Sequence, residues 1–493
     1  MSQRHTRTQI VGFALVMVFV AAACGQKPGV ATGGILPPGA EVNAQGQIVD
    51  AETGEVLGTV DGGLGSTTGG DLGGGTAIGG TTSGGTTSGG TTSGGTTSGG
   101  TTSGGTTSGG TTSGGTTTGS TSTGVSGDTI KIGNHAPLTG AAPVPSGSAE
   151  KGSKLLWEWM KRNKENVNGR NVEAILKNDN YNPSQAVAVC KEMVEKDEVF
   201  LLSGLAGTDQ IQACARYAAS VGVPYLSAGV TETGVTGLAN YFTTSMTYND
   251  QGPLLADMIV SNLGGKGEKN GMLRFDTPNF QDAHDGFIQG MQKAGADVVY
   301  DRAVSKGAGQ TEAQTVIQEM RAAGIENIYV LTSPVWFLQL LKAADTQQFH
   351  PQWVGVGITM TFDTVANVGC KGAGVLDGAK FFAPFPAWVD RGKFDPEYDK
   401  AMGDVYGGTG DDFVWLGWAA SKQLRGLLES AGKNLTRESF IASTEKVRNL
   451  KTGILPTLNF APNDHFGANE VHVNEAKCSD SRWHTVQSFV SDF

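Results

Sequence analysis

A tract made almost only of glycine, threonine and serine divides this chain and limits where a packed fold can form. The tract runs from Gly65 to Gly127 and repeats the unit Thr-Thr-Ser-Gly-Gly seven times between Thr81 and Gly115. It offers too little apolar surface to offset the entropy of ordering, so we predict a flexible tether over 65–127. At about 5–6 Å × √n, its 63 residues would span about 40–48 Å. Residues 24–64 are expected to be a disordered approach to this tether, and residues 128–493 are long enough for two packed domains.

The N-terminal segment has the layout of an export signal that ends at a cysteine. Arg4 and Arg7 precede an apolar run from Ile10 to Val20, and three alanines then lead to Cys24. Such a layout is typical of a secretory signal peptide, and the apolar run is shorter than the roughly twenty residues of a spanning helix. We therefore predict a lipoprotein signal peptide over 1–23 and an extracytoplasmic protein held at the cell membrane by lipidated Cys24. A signal peptide cut elsewhere and a retained membrane anchor are the alternatives.

The charge of the chain argues against two classes of partner. The formal net charge is −11, and it becomes −13 when the two arginines of the signal peptide are removed. An acidic chain without basic clusters has no electrostatic footprint for nucleic acid or for anionic lipid. We therefore expect no nucleic-acid partner and membrane contact through the lipid anchor only.

Export also changes how the cysteines are interpreted. Four remain besides Cys24, at positions 190, 214, 370 and 478, and an oxidising compartment permits them to form disulfides. Four cysteines allow three pairings, and the residues alone do not choose among them; free buried thiols are the alternative. No CxxC pair or Cys/His cluster has the spacing of a zinc site, so no metal is expected.

After the tether, short apolar strands alternate with amphipathic helices. The predicted strands are Ile130–Gly133, Val172–Leu176, Val199–Leu202, Val223–Leu226, and, after a restart, Met272–Phe275, Val298–Tyr300, Ile328–Leu331 and Trp353–Val356. Strands that alternate with helices of this length favour parallel sheets covered on both faces. The expected fold class is α/β, with two doubly wound parallel-sheet lobes.

No catalytic motif accompanies this alternation. The sequence contains no GxSxG, no HExxH, no Walker lysine loop and no complete GxGxxG between a strand and a helix. These are the patterns that place nucleophiles, metals and phosphates. We therefore expect neither an enzyme nor a bound cofactor.

Five short motifs follow one another in the first half of the folded part. They are Ile130-Lys131-Ile132-Gly133, Ala136-Pro137-Leu138-Thr139-Gly140, Val167-Asn168-Gly169-Arg170, Asn178-Asp179-Asn180-Tyr181-Asn182-Pro183 and Gly222-Val223-Pro224-Tyr225-Leu226-Ser227. In this order and spacing the chain resembles the branched-chain amino acid binding family of type I periplasmic-type solute-binding proteins, which serve ABC importers. The resemblance covers essentially all of 128–493. It implies two lobes joined by three hinge strands that close on a small solute.

The resemblance also implies a division of the chain between the lobes. Lobe 1 would combine 128–246 with 382–456, and lobe 2 would combine 247–381 with 457–493. The implied hinge crossings lie near Phe242–Asp250, Lys380–Phe385 and Ile454–Phe460. In that topology Cys190 pairs with Cys214 inside lobe 1, and Cys370 pairs with Cys478 inside lobe 2.

Two turns between a strand and a helix are candidates for the ligand site. Ser203–Thr208 follows the third strand, and Ser227–Thr231 follows the fourth. Ligands of open α/β sheets bind outside the carboxyl ends of the strands, where helix N-termini offer N–H groups to an anion. The positions that hold the ligand's carboxylate and polar end in the family match Gly207, Thr208, Ser227, Gly229, Val230 and Thr231. Ordinary helix capping by serine and threonine is the alternative reading of these residues.

Four further residues are candidates for the rest of the site. Phe280, Trp336 and Phe413 lie near aromatic contact positions of the family, although aromatic side chains also fill cores. His135 ends the first strand, where it could meet a ligand or serve the structure.

One departure from the family concerns the ligand itself. Amino-acid-binding members carry an acidic residue after the strand that matches Trp353–Val356, and it pairs with the ligand's ammonium group. This chain has Gly355-Val356-Gly357-Ile358 there. A buried cation without a counter-charge is costly, so an organic acid or an amide becomes a candidate beside a branched-chain amino acid.

These observations together predict a monomeric, lipid-anchored, extracytoplasmic substrate-binding protein that delivers a small molecule to an ABC permease. The resemblance to the family implies a role in amino acid transport. One alternative is a ligand sensor that presents its closed form to a membrane receptor. Another is a structural surface lipoprotein that binds nothing.

Overall fold

The structure is a computed structural model. It describes the backbone of residues 40–42, 47–50 and 56–59, and residues 122–228 and 234–493, apart from the side chains of Ile358 and Thr359. The predicted signal peptide, Cys24 and most of the predicted tether lie outside the described residues.

Three short strands occur in the segment 24–64, for which the sequence predicted disorder. They are β1 (Ala40–Val42), β2 (Gln47–Asp50) and β3 (Val56–Thr59), paired antiparallel in the order β1-β2-β3. Isoleucine and valine are common in them, and β-branched residues suit extended backbone. This small sheet belongs to a unit of its own, separate from the unit that carries the rest of the described chain.

The folded body begins inside the predicted tether rather than at residue 128. Val125 pairs with Ile130, and the Gly124 carbonyl accepts a hydrogen bond of 2.9 Å from the Lys131 N–H. The Arg170 guanidinium donates to the Ser126 carbonyl at 2.7 Å. Val125 is buried, so this end of the tract packs on the body because it contains an apolar residue.

The first lobe is built on a five-stranded parallel sheet in the order β5-β4-β6-β7-β8. Its elements are β4 (Thr129–Ala136), α1 (Ser146–Arg162), β5 (Asn171–Asn178), α2 (Pro183–Glu195), β6 (Leu201–Gly204), α3 (Thr208–Ser220), β7 (Tyr225–Ser227) and β8 (Tyr241–Thr243). Asn182 caps the start of α2 by accepting from the Gln185 N–H at 3.1 Å, and Pro183 follows at the first helical position.

The second lobe is built on a seven-stranded sheet in the order β10-β9-β11-β12-β13-β14-β15. Its elements are α4 (Tyr248–Asn262), β9 (Asn270–Phe275), α5 (Gln281–Ala294), β10 (Val298–Val304), α6 (Gln310–Ala323), β11 (Asn327–Leu331), α7 (Pro334–Thr346), β12 (Gln352–Val356), α8 (Asp363–Gly369), β13 (Lys380–Ala383), β14 (Val471–Lys477) and β15 (Arg482–Val490). The pairs from β9 to β13 are parallel, whereas β14 and β15 add an antiparallel edge.

Four helices between β13 and β14 return to the first lobe. They are α9 (Arg391–Phe394), α10 (Glu397–Val405), α11 (Asp412–Ser430) and α12 (Arg437–Thr444). Helix α11 packs along α1, and the Trp159 and Trp418 rings meet edge to face at 5.8 Å. Two glycines permit this approach, since a Cβ added to Gly417 would lie 2.5 Å from the Gly152 carbonyl carbon.

The third crossing to the second lobe comes later than residue 456. Leu458, Phe460 and Ala468 belong to the hydrophobic core of the first lobe. The backbone at 465–467 exchanges hydrogen bonds with Thr243 at the end of β8. The chain therefore rejoins the second sheet only at β14.

Each lobe has its own core and its own disulfide. The Cys190–Cys214 bond joins α2 to α3 in the first lobe, and the Cys370–Cys478 bond joins the end of α8 to the turn after β14 in the second. Both predicted pairs are confirmed. None of the described helices combines the length and the apolar character that crossing a membrane requires.

Candidate functional site

The carboxyl ends of β4, β6 and β7 meet at one edge of the first sheet, and α3 begins at that edge. Gly207 precedes α3 with a φ of +86°, a conformation that favours glycine. A Cβ at this position would also lie 2.4 Å from the Gln210 Oε1 atom. The glycine therefore lets the chain turn directly into a helix, whose first N–H groups have no partners within the helix and favour an anion.

The second lobe faces this helix start. Burial raises the pKa of the Tyr248 phenol at the start of α4, and a hydrogen bond with the Thr208 hydroxyl opposes the rise. Thr208, a predicted ligand residue, thus lies where the two lobes meet. A side chain at this point can contact a ligand held between the lobes.

Asp209 links the two lobes directly. Its carboxylate accepts hydrogen bonds from the Asn279 amide and the Lys306 ammonium group, both on the second lobe. The Lys306 Nζ atom also lies 5.2 Å from the centre of the Tyr181 ring on the first lobe. Burial, and then the charges of Asp209 and Asp179, raise the pKa of Tyr181 to about 12. The lobes are therefore in contact at the N-terminus of α3 in this conformation.

The second predicted turn is described only in part. Ser227 is buried at the end of β7, and its carbonyl accepts from the Thr244 N–H at 2.9 Å and from the Thr244 hydroxyl at 3.3 Å. Gly229, Val230 and Thr231 lie outside the described residues. Their predicted ligand contacts stay predictions.

A void opens behind these strand ends, between the first sheet and helices α1 and α11. It is small, with a cavity volume of about 40 Å³. Ser203–Leu205 and Leu226–Ala228 line it at the sheet edge, and Phe413 lines it from α11. Ser227 and Phe413 therefore line one space, and their predicted ligand contacts stay predictions.

The other two aromatic candidates lie in the core of the second lobe. Phe280 packs edge to face on Tyr248 with ring centres 5.7 Å apart, and Trp336 packs on Phe275 at 5.6 Å. The Trp336 indole N–H donates to the Gly309 carbonyl at 3.4 Å. Both side chains are buried, and their predicted ligand contacts stay predictions.

His135 has a structural position that leaves neither ring nitrogen for a ligand. Its Nδ1 atom lies 2.7 Å from the Asp179 carboxylate, and its Nε2 atom lies 2.6 Å from the Tyr225 hydroxyl. All three side chains are buried. The ligand contact proposed for His135 is therefore abandoned, because both ring nitrogens already have protein partners. The position of His135 at a strand end gave no sign of these partners in the sequence.

Buried acids occur near the junction of the lobes, although none follows β12 directly. The Asp412 carboxylate accepts from the Asp363 N–H at 3.2 Å. Burial, and then the charge of Asp363, raise the pKa of Asp412 to about 8. Burial also raises the pKa of Asp363, against the Trp483 N–H and the Arg482 charge. Without a cation beside it, the Asp412 carboxyl group therefore favours its protonated form.

Two α/β lobes, several chain crossings and a helix start that faces the opposite lobe define a two-lobed binding protein of the type I arrangement. The chain belongs to the periplasmic binding protein family, whose model matches residues 129–481. No curated protein sequence gives a significant match to it.

Several solved structures share the fold. One is a branched-chain amino acid ABC transporter from Thermus thermophilus with bound valine, 15% identical, with a TM-score of 0.62 over 75% of this chain and 98% of that one. Another is a solute-binding protein of an ABC transporter from Rhodopseudomonas palustris BisB5 in complex with 3,4-dihydroxybenzoic acid, 18% identical, with a TM-score of 0.61 over 74% and 99%. A fatty acid ABC transporter substrate-binding protein from Thermomonospora curvata is 18% identical, with a TM-score of 0.64 over 76% and 95%.

Proposed function

We propose that this protein is the lipid-anchored, extracytoplasmic substrate-binding component of an ABC importer and that it captures a small solute by hinge closure. The observation that carries the proposal is the start of α3. Thr208 and Asp209 there contact Tyr248, Asn279 and Lys306 of the opposite lobe. A ligand held at this point would touch both lobes and would favour the conformation in which they meet.

The same residues favour a ligand with a carboxylate or another acceptor group. The N-terminus of α3 attracts negative charge, and Lys306 neutralises Asp209. Strand β12 ends at Val356, and Gly357 follows it, so no acidic side chain stands at this strand end. An organic acid or an amide therefore suits this site better than an α-amino acid, whose ammonium group needs a charged partner.

The solved structures of this fold provide the ligand panel. Their recorded ligands include valine and 3,4-dihydroxybenzoic acid, and one of the proteins belongs to a fatty acid transporter. These compounds differ in whether they carry an ammonium group. The panel thus separates the two ligand classes that the sequence left open.

The test is a thermal-shift screen of the mature chain carrying Cys24→Ala, which avoids lipid and detergent. The panel contains valine, leucine, benzoate, 3,4-dihydroxybenzoate, octanoate and acetamide, followed by calorimetry on each hit. We expect carboxylates without an ammonium group to raise the melting temperature more than the amino acids do. Small-angle scattering should show a smaller radius of gyration with the ligand bound. No binding by any panel member, with unchanged scattering, would favour a structural surface lipoprotein.

A further inference from the structure

Asp412 is buried at a point where the first lobe touches the second. It is the first residue of α11, and its Oδ2 atom accepts from the Asp363 N–H of α8 at 3.2 Å. Its Oδ1 atom is buried and has no hydrogen-bond partner on another described residue. Part of the surface that keeps water from this carboxyl group therefore belongs to the opposite lobe. Separation of the lobes at this point would return the group to solvent.

Phe362 holds the chain of the second lobe beside this carboxyl group. Its ring packs edge to face on Phe413 of α11 with ring centres 5.8 Å apart, and its carbonyl accepts from the Trp483 indole N–H of β15 at 3.1 Å. Phe362 directly precedes Asp363 in the chain. The contact between Asp363 and Asp412 is therefore supported by packing on both lobes.

The charged groups that act on Asp412 are acids. Asp363 faces it from α8, and Asp411 precedes it at the cap of α11. The Tyr398 phenol of α10 also interacts with its charge. Three groups of β15 and the turn before it act on Asp363 instead: Arg482, whose guanidinium lies 3.1 Å from the Asp363 carboxylate, Asp480 and His484. A negative charge on Asp412 would therefore meet two like charges, while the arginine pairs with Asp363.

These surroundings apply only while the lobes are in contact here. Burial and the charge of Asp363 raise the pKa of Asp412 to about 8 from an ordinary value of 3.8. Once the lobes separate, water reaches the carboxyl group and the Asp363 carboxylate moves away, so the pKa returns towards its ordinary value. At neutral pH the conformation with the contact therefore holds a proton that the separated conformation releases.

We propose that Asp412 makes the approach of the two lobes depend on pH, because it binds a proton when the lobes meet at Asp363 and releases that proton when they separate. The inference rests on the proposed function, since hinge closure is part of it. Closure then takes up one proton from solvent, so acid favours the closed form and alkali favours the open form. The equilibrium constant for closure should fall by up to about tenfold per pH unit between about pH 4 and pH 8.

Small-angle scattering without ligand tests this directly. On the mature chain carrying Cys24→Ala, the radius of gyration should increase from pH 5 to pH 7 and pH 9. Asp412→Asn keeps the size of the side chain but cannot ionise, so its radius of gyration should stay constant. Asp404→Asn, at an exposed ion pair with Lys400, is the control and should expand as the wild type does. A wild-type radius that is the same at pH 5 and pH 9, or the wild-type expansion in Asp412→Asn, would overturn the proposal.

A second variant keeps the test decisive if Asp412→Asn does not fold. Asp363→Asn removes one of the two like charges that face Asp412, so its expansion between pH 5 and pH 9 should be smaller than that of the wild type. An equal expansion would contradict the role of this pair.

Ligand binding gives an independent measurement of the same effect. For any compound of the ligand panel that binds, the dissociation constant should rise between pH 6 and pH 8 by up to about tenfold per pH unit in the wild type, and less in Asp412→Asn. The same pH dependence in both proteins would contradict the proposal. Because the scattering needs no ligand, a panel without binders would count against the proposed function and leave the scattering to decide on Asp412.

Discussion

At the scale of single residues, Asp412 shows how burial sets chemistry in this protein. It occupies the first position of α11, beside the capping residue Asp411, and its side chain is buried. Burial and the charges of Asp363 and Asp411 disfavour the ionised form of its carboxyl group. Hydrogen bonds from the backbone N–H groups of Asp363 and Asp412 favour the ionised form, but their effect is smaller. Its pKa rises from 3.8 to about 8 as a result. The carboxyl group is therefore protonated in the folded protein over a range where it is charged in the unfolded chain.

This difference predicts a pH dependence of stability. A group whose pKa is raised by folding stabilises the folded state fully below its unfolded pKa, and that contribution is lost as pH rises through the folded value. The free energy of unfolding should therefore fall between about pH 4 and pH 8 by at least about 1 kcal/mol from this group. Asp412→Asn should remove this part of the slope, as measured by urea unfolding. Asp404→Asn, at an exposed ion pair with Lys400, should keep the wild-type slope. An unchanged slope in Asp412→Asn would contradict the assignment.

Thr208 permits a prediction about affinity. It is the first residue of α3, and its hydroxyl contacts the Tyr248 phenol of the opposite lobe. Thr208→Ala should lower the affinity for the best panel ligand by about five- to a hundredfold, because a polar group of the ligand is then desolvated without the Thr208 hydroxyl as its partner. Stability without ligand should change by less than about 1 kcal/mol. Thr311→Ala, at an exposed position in the first turn of α6, is the control. Wild-type affinity in Thr208→Ala would show that this helix start does not hold the ligand.

At the scale of elements, the contact between α1 and α11 joins two distant parts of the sequence into one lobe. The contact depends on backbone meeting backbone at Gly152 and Gly417. Gly417→Ala should therefore lower the free energy of unfolding by about 1–3 kcal/mol, since neither backbone can move away easily. Gly403→Ala is the control, because Gly403 lies in α10 with no atom within 4 Å of an added Cβ. That change should be neutral or stabilise by up to about 1 kcal/mol. Equal effects of the two substitutions would argue against a close helix contact.

Elements with a clear local pattern were predictable, whereas those set by distant partners were not. The strand predicted at Ile328–Leu331 lies within the buried β11, because a continuous apolar run between helices predicts a buried parallel strand. The strand predicted at Val172–Leu176 lies within β5, at the edge of the first sheet. The antiparallel β14 and β15 were missed, since they follow each other without a helix between them and so do not continue the alternation of strands and helices. For the site, Gly207 and Thr208 followed from the turn after β6. The sequence analysis missed three residues of the contact between the lobes, Asp209, Asn279 and Lys306. Charged and amide side chains on a surface follow no periodic pattern in a sequence, and these three meet only in the folded protein.

At the scale of the whole molecule, the proposed attachment to the membrane depends on one residue, Cys24, which precedes the tether in the sequence. We expect Cys24→Ala to move the protein from the membrane fraction to the soluble fraction, since a net charge of −11 does not favour anionic lipid and stable attachment without a spanning helix requires a lipid chain. Fractionation followed by immunoblotting measures this shift. Cys24→Ala protein that stays with the membranes would contradict lipidation as the means of attachment.

The proposed closure of the two lobes would depend on groups that meet across the cleft as well as on the ligand. Asp209 and Lys306 are each about one-quarter to one-third exposed, at 24% and 31% of the side-chain surface, so their attraction is only partly screened by solvent and salt. The ion pair exists only where the lobes approach. It therefore favours the closed form even before a ligand adds its own contacts.

Lys306→Ala removes this bridge without touching the core of either lobe. We expect small-angle scattering to give a larger radius of gyration for the ligand-free variant than for the wild type. The closed form loses a stabilising ion pair in the variant, so more molecules adopt the open form. The ligand should still close the variant, with an affinity lowered by about two- to tenfold, since part of its binding free energy is then used to bring the lobes together. Lys400→Ala breaks an ion pair within α10 and should leave both measurements unchanged. If Lys306→Ala matches the wild type in both, the contact between Asp209 and Lys306 does not bias the position of the lobes.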